Sequence, residues 1–479
     1  MGEAFFIVKQ IFYRVSFISK EEMKRGVLYM FFKRIETEGL SHYSYIVGDG
    51  PDLAVIDPRR DVGIYMREAR KAGRRIKHIF ETHRNEDLIT GSMELQEKTG
   101  GKIYRSAYED LGYAYGEEIK DGFEVKLGGI IIKALHTPGH TLGHMSYALY
   151  EKGKENAYLV FTGDSLFMGD VGRTDFYGKE NLEKMTGLMY ESIFEKLMPL
   201  GEDVIILPAH GPGSACGISM DDRPYSTLGY ERKYNPVLQV NSKEEFIKNF
   251  AQMRIKPQYF ERMEVLNVKG APFVGEEVIL NALTVDEIEE MKDEILILDV
   301  RTKEGYFGGH IPGSIFMSKN NISTFLGAIF SFEKKVVFAI DGDYGDVEDL
   351  YWYCKRIGFD NIAGYLPSAC KKWERHGFEL EQFATITAID FIELPKDGDY
   401  ILIDIRKSEE LEEGDPSSNR INLPLQQISQ CFKIINKDKD IYILCGSGER
   451  ATIGASYLKT KGYESKVITG GIKMLAAIE

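Results

Sequence analysis

Glu81-Thr82-His83-Arg84-Asn85-Glu86-Asp87-Leu88 is the stretch from which the first half of this chain can be read. It follows a short apolar run, Ile76 to Phe80, which reads as a buried strand. Three later apolar runs end on groups of related chemistry. "IIIKALHTPGH" ends at His140, "AYLVFTGD" at Asp164 and "DVIILPAH" at His210. Each is a run of strand length followed directly by Gly, Pro or a ligand-type residue. Loops at one edge of a sheet are where a scaffold places its chemistry. Two neutral imidazoles and one carboxylate, meeting with open positions, suit a non-haem iron(II) that must bind both substrate and oxygen.

These residues resemble the metallo-β-lactamase superfamily, which carries THxHxDH, then a TPGHT loop, then TGD, then a final AH. Here the first motif reads T-H-R-N-E-D-L, so Asn85 stands where the second His is expected and Leu88 where the third is. A two-zinc hydrolase needs both. His83, His140 and Asp164 survive, and they match the iron ligands of one branch, the persulfide dioxygenases. "GDVGRTDF", Gly169 to Phe176, also resembles that branch. The resemblance implies one Fe(II) per chain on His83, His140 and Asp164. Asn85 takes a supporting place. Asp87 and His210 would orient ligands or a water rather than hold a second metal. Arg173 would contact an anionic substrate. Cys216, six residues after His210, is either a small buried residue or a thiol that receives or relays a persulfide. His136 and His144 are left without a role.

The chain has 479 residues, which suggests roughly three domains. Hydrophobic residues make up 43% and charged residues 28%, enough to build packed cores. Sixty basic and 74 acidic side chains give a formal charge of −14, which argues against a nucleic-acid surface. Five cysteines in this length do not make a disulfide framework and fit a reducing cytoplasm. No stretch approaches the roughly 20 apolar residues needed to span a membrane. Residues 1–29 do not read as a targeting signal. They are either an over-extended start or a flexible arm, and Met30 reads as the natural beginning of a domain running to about 275.

From Leu283 a second domain opens. "ILILDVRTKEGYFGGHIPGSIFM" resembles the rhodanese family through Asp299, Arg301, His310 and Gly313. A rhodanese needs a Cys after its next buried strand, but "VVFAI" is followed by Asp341. The loop Asp341 to Asp346 has three carboxylates and no thiol, and would repel a sulfur anion. Residues 283–383 are therefore expected to be structural. The pattern repeats over 384–479. "YILIDIR" supplies Asp404 and Arg406, and "IYILC" delivers Cys445. Asp341 to Gly358 and Cys445 to Gly462 are both 17 residues apart, so the repeat is in register. In Cys445-Gly446-Ser447-Gly448-Glu449-Arg450, inward backbone N–H groups form an anion nest. The helix starting near Ala451 adds its positive end. Both favour a thiolate nucleophile. Arg450 can hold an oxyanion by paired hydrogen bonds. Some phosphatases also use CxxGxR, but the upstream Asp-x-Arg and the short loop favour sulfur transfer. Cys354, Cys370 and Cys431 are given no role.

The whole chain resembles bacterial persulfide dioxygenase–sulfurtransferase fusions. That implies an αββα domain followed by two rhodanese-like α/β domains with parallel sheets. The expected substrates are O2 and a persulfide of glutathione, coenzyme A or another small thiol, with sulfite and thiosulfate as exchange partners. Cys445 would carry sulfane sulfur, Gly446, Ser447, Gly448 and Glu449 would line its pocket, and a cytoplasmic homo-oligomer is expected. Two other classes stay open. One is a zinc thioester hydrolase of the glyoxalase II kind with a sulfur-carrier tail. The other is a non-catalytic sulfur-binding module in which only Cys445 reacts.

Overall fold

The structure, a computed structural model, describes residues 30–478 apart from 218, 276, 279, 342, 343 and 417. The expectations for residues 1–29, and for Gly342 and Asp343 in the acidic loop, lie outside the described residues. The chain forms two compact units. The first runs to Lys256 and takes in Phe260–Glu276, and the second holds Pro257–Tyr259 and Glu277–Glu479.

The first unit is built on two six-stranded sheets. The first comprises β1 (Phe31–Thr37), β2 (His42–Gly48), β3 (Asp52–Ile56), β4 (Arg75–Phe80), β5 (Lys102–Ser106) and β6 (Glu117–Ile119), in that spatial order. The second comprises β7 (Glu124–Leu127), β8 (Ile130–His136), β9 (Met145–Glu151), β10 (Ala157–Gly163), β11 (Ile205–Pro208) and β12 (Ser226–Thr227), again in order. Tyr45, Val47, Ile56 and Phe80 from the first sheet meet Ile132, Tyr147, Leu149 and Phe161 from the second in one buried cluster. The outer faces are apolar as well. Tyr65, Ala69 and Leu95, on helices Gly63–Lys71 and Ser92–Thr99, cover the first sheet. Met189 and Phe246, on helices Leu182–Glu191 and Lys243–Phe250, cover the second. Strands buried on both faces read as continuous apolar runs, which is why "LAVI" and "YLVF" show little alternation. Each large side chain taken from water contributes about 1.5–3 kcal/mol. The result is the αββα sandwich.

One element differs in detail from expectation. The sequence predicts a single helix over Leu182 to Leu200. The helix is α through Glu191, π over Ser192–Leu197 and 3-10 over Met198–Leu200, and it stops at Gly201, φ 125°. This segment packs on the TPGHT loop. A Cβ on Gly139 would stand 2.5 Å from Met189 Cα, so only glycine allows the approach. Ser192 Oγ donates to the Pro138 carbonyl at 2.6 Å. The helix thereby seats the loop that carries His140.

The second unit holds two wholly parallel sheets. One has the order β14 (Ile315–Phe316), β13 (Ile295–Asp299), β15 (Lys335–Ile340), β16 (Ile362–Pro367). The other has the order β17 (Thr385–Thr387), β21 (Lys466–Thr469), β20 (Asp440–Leu444), β18 (Tyr400–Asp404), β19 (Arg420–Asn422). The two copies share an ion pair just beyond the first central strand. Arg301 grips Asp299 through Nε at 2.9 Å and NH2 at 2.7 Å, and Arg406 grips Asp404 at 3.0 and 2.7 Å. In each copy the next buried strand ends one residue before the divergent position, Asp341 or Cys445.

Candidate metal centre and sulfur-carrying loop

Four strand ends bring the predicted residues of the first unit together. His83 follows β4, His140 lies in the turn after β8, Asp164 follows β10 and His210 follows β11. β10 and β11 are parallel, with Gly163 opposite Pro208, so both chains leave the sheet at one level. His83 Nε2 and His140 Nε2 lie 3.8 and 3.4 Å from Asp164 Oδ2. All three atoms are buried and make no hydrogen bond among the described residues. Ligand atoms bonded about 2.1 Å from one centre stand roughly 3 to 4 Å apart, so both separations fit a metal ion.

Each of them is aimed by a partner on its far side. Thr82 donates its N–H to Asp57 Oδ1 at 2.7 Å and its hydroxyl to Oδ2 at 2.8 Å. The Thr82 oxygen is then left to accept from His83 Nδ1, 2.8 Å away. His140 Nδ1 donates to the Arg173 carbonyl at 2.8 Å. Both rings thus carry their proton on Nδ1 and turn Nε2 inward. His210 Nδ1 donates to Asp164 Oδ1 at 2.7 Å, leaving Oδ2 free, and His210 Nε2 sits 3.0 Å from Asp87 Oδ2. His144, unassigned in the sequence, accepts the Asp164 N–H on Nε2 at 2.9 Å. Its Nδ1 lies 2.9 Å from Thr137 Oγ1.

Electrostatics follow from this burial. Desolvation pushes His83 well below its ordinary value and His144 down to about 3, so both stay neutral. Burial also lowers His140, but Glu86 and Asp164 outweigh it and the net direction is upward. Burial raises Asp164, yet His210 and His83 hold it well below the usual carboxylate range. Burial lowers His210, and Asp164 and Asp87 more than reverse that. Asp57 is pushed up to about 7 by burial, against the two hydrogen bonds from Thr82.

The residues at the two departures occupy the place of a second metal differently. Leu88 is fully buried and apolar. Asn85 is buried, with Oδ1 lacking a partner among the described residues. Its carbonyl and that of Leu88 both accept from Asn267 Nδ2 at 2.7 Å, which clamps the loop. Cys216 lies within the same cage. Its sulfur groups with Asp87 and His210, and with His140 and Asp164, all within 4.8 Å. Burial and the carboxylates of Asp164, Asp87 and Glu86 raise its thiol well above the ordinary value. Arg173 is 3% exposed and held by Asp175 at 2.7 and 2.8 Å, with its NH2 also donating to the Arg254 carbonyl at 3.2 Å. It lines a cavity of about 250 Å³ with Arg254, Thr174 and Thr186. Glu86, which the sequence reading passed over, points into the cluster. Its only sequence signal is a carboxylate one residue past the lost His.

In the second unit Cys445 Sγ accepts the N–H of Gly448 at 3.1 Å and of Ala451 at 3.3 Å. Gly448, at φ 92°, turns the chain into helix Glu449–Thr460, whose N-terminus faces the sulfur. These donors are placed to hold a sulfur anion. Gly446 and Glu449 are partly buried and Ser447 is exposed. Arg450 is bound to Glu410 by two hydrogen bonds of 2.6 and 2.7 Å. The Cys-less copy reaches this rim. Lys303 Cε would stand 3.7 Å from a Cβ on Gly448, and Asn321 Nδ2 is 3.5 Å from Glu449 Oε2. Asp341 is exposed, with Arg301 NH1 3.8 Å away.

Comparison with known proteins agrees with this geometry. The metallo-beta-lactamase superfamily profile matches residues 37–210, and the rhodanese-like domain profile matches 284–376 and 387–477. Hydroxyacylglutathione hydrolase GloC of Haemophilus influenzae is 30% identical over 42% of this chain and 92% of its own. The human mitochondrial persulfide dioxygenase ETHE1 is 30% identical over 46% of this chain and 80% of its own. A crystal structure of a metallo-beta-lactamase from Staphylococcus aureus superposes with a TM-score of 0.63 and 31% identity, covering 71% of this chain and 99% of that one. Fold and site together define an αββα domain of a metal-binding enzyme family joined to rhodanese-like modules. The chain belongs to the metallo-β-lactamase superfamily, as a fusion with two rhodanese-like domains. Among the described residues no helix is long and apolar enough to cross a membrane.

Proposed function

We propose that this protein is a non-haem iron persulfide dioxygenase whose product is handled by a rhodanese-type cysteine. The observation that carries it is the reduced ligand set. His83, His140 and Asp164 converge, while Leu88 and Asn85 stand where a second metal would need imidazoles. A bound iron(II) would supply a redox centre open to both a sulfur ligand and oxygen. The chain's own residues do the rest. Thr82 and the Arg173 carbonyl fix the two imidazoles as neutral Nε2 donors. His210 fixes the carboxylate. Buried Leu88 and the surrounding apolar strands limit water.

The overall change balances as persulfide plus O2 plus water giving thiol, sulfite and two protons. The terminal sulfur is oxidised and O2 is reduced. At Cys445 the thiolate attacks the outer sulfur of thiosulfate. A new S–S bond forms and sulfite leaves with the electron pair of the old one. In the opposite direction sulfite takes the sulfur from Cys445 and departs as thiosulfate. The Gly448 and Ala451 N–H groups stabilise the thiolate that is consumed or released.

The glyoxalase II kind of hydrolase remains the competing reading, because GloC is as similar as the dioxygenase. Protein purified without oxygen separates them. One iron per chain, with oxygen uptake on glutathione, coenzyme A or inorganic persulfide, is the expected result. Two zinc ions per chain with thioester hydrolysis overturn the proposal.

A further inference from the structure

We propose that Glu86 is a fourth protein ligand of the metal centre, so that this chain holds its metal with two imidazoles and two carboxylates. The inference rests on the metal site and not on the dioxygenase reading. Glu86 Oε2 lies 3.4 Å from His140 Nε2 and 3.8 Å from His83 Nε2. Asp164 Oδ2 stands at the same two distances from the same two atoms. The two carboxylates are thus equivalently placed about the imidazole pair. His83, Glu86 and His140 offer ligand atoms within 4.8 Å of one another.

Glu86 is 1% exposed, and both its oxygens lack a hydrogen bond among the described residues. Arg84 is 3.7 Å from Oε1 but also 3.5 Å from Glu264, so it compensates the other oxygen and is shared. The 3.4 Å approach to His140 is longer than the roughly 2.7–2.9 Å of a charge-assisted hydrogen bond. A buried carboxylate oxygen without a hydrogen bond is costly, and Glu86 Oε2 and Asp164 Oδ2 both stand beside the same imidazole pair. A divalent cation there cancels both charges and uses all four otherwise idle atoms.

The placement along the chain explains the departure at Asn85. The residue that lost the imidazole is followed directly by one that turns a carboxylate into the site. The extra anion makes a site with a divalent ion neutral overall and leaves one fewer position for exogenous ligands. It also favours hard, oxygen-seeking metals over zinc.

Metal-free protein titrated with Co(II) tests this in the full chain, read by its visible absorption, alongside anaerobic Fe(II) binding. Glu86→Gln keeps the volume and removes the anion, Glu86→Ala removes the side chain, and Asp164→Asn is the reference for loss of a ligand. The expected result is Co(II) and Fe(II) binding weakened about tenfold or more in both Glu86 variants, with a displaced Co(II) band. Affinity within about twofold of wild type and an unchanged band in Glu86→Gln overturn the proposal. So does an unchanged band with only the pH profile of activity altered, since Glu86 would then act without touching the metal. Oxygen uptake by the wild type is scored separately. A wild type that binds metal through Glu86 yet consumes no oxygen removes the dioxygenase reading and leaves this one standing.

Discussion

His210 Nδ1 donates to Asp164 Oδ1 at 2.7 Å while His210 Nε2 lies 3.0 Å from Asp87 Oδ2. The imidazole is hydrogen-bonded to one carboxylate, stands beside the second and leaves Asp164 Oδ2 as the free oxygen. The pairing is fixed by the parallel register of β10 and β11, which sets Gly163 opposite Pro208.

His210→Ala should therefore weaken metal retention about ten- to a hundredfold, the usual cost of losing a group that orients a ligand. Competition with a chelator measures it. Retention equal to wild type shows that Asp164 needs no such support.

Asn85→His restores the family residue at a buried position whose Oδ1 has no partner among the described residues. Oxygen uptake should stay within about tenfold of wild type, or ~1.4 kcal/mol of barrier. His140→Ala should abolish it together with metal binding. A silent wild type made active by Asn85→His marks the native site as a relic.

Cys445→Ser should spare oxygen uptake on a supplied persulfide and abolish sulfur transfer, because it removes the sulfur that Gly448 and Ala451 hold. Asp341→Ala should change neither. Products are read as sulfite and thiosulfate. Intact thiosulfate exchange in Cys445→Ser rules out the last domain as the sulfurtransferase.

Arg450 and Glu410 give a pH signature. Burial raises Glu410, but the two bonds from Arg450 and the Lys407 N–H outweigh it and the carboxyl ends below its ordinary value. A depressed carboxylate stabilises the fold above its unfolded pKa and loses that contribution as pH falls through the folded one. The unfolding midpoint should be flat near neutrality on this account and fall below about pH 4.5. In Glu410→Gln that acid decline should be smaller. Parallel curves for both proteins, compared by thermal melts across pH 3 to 7, count against the pair.

Much of the architecture was legible without coordinates. Short apolar runs such as "YLVF" and "IYIL", rich in β-branched and aromatic residues, read as buried strands, and the acidic or thiol residue after each strand marked the loops. The αββα layering, the two parallel sheets and the convergence of His83, His140 and Asp164 follow from that pattern and from the family motifs. The exchange of Cys for Asp341 in one repeat was equally plain, since register along a strand is a matter of counting.

What the chain alone did not disclose depends on which way side chains turn. Glu86 sits in a charged loop, where a carboxylate ordinarily faces water; only the folded loop, clamped through Asn267, points it at two imidazoles. His144 carried no role in the sequence, and in the fold its Nε2 accepts the Asp164 N–H. Arg173 and Arg450 were each expected to contact an anion, but Asp175, two residues further along the chain, holds the first guanidinium, and Glu410, brought there by tertiary packing, holds the second. Sequence settles which residues terminate which strands because that is a local property of apolar runs. Partners drawn from loops tens of residues apart are chosen only when the sheets align those loops, and that alignment exists nowhere but in the fold.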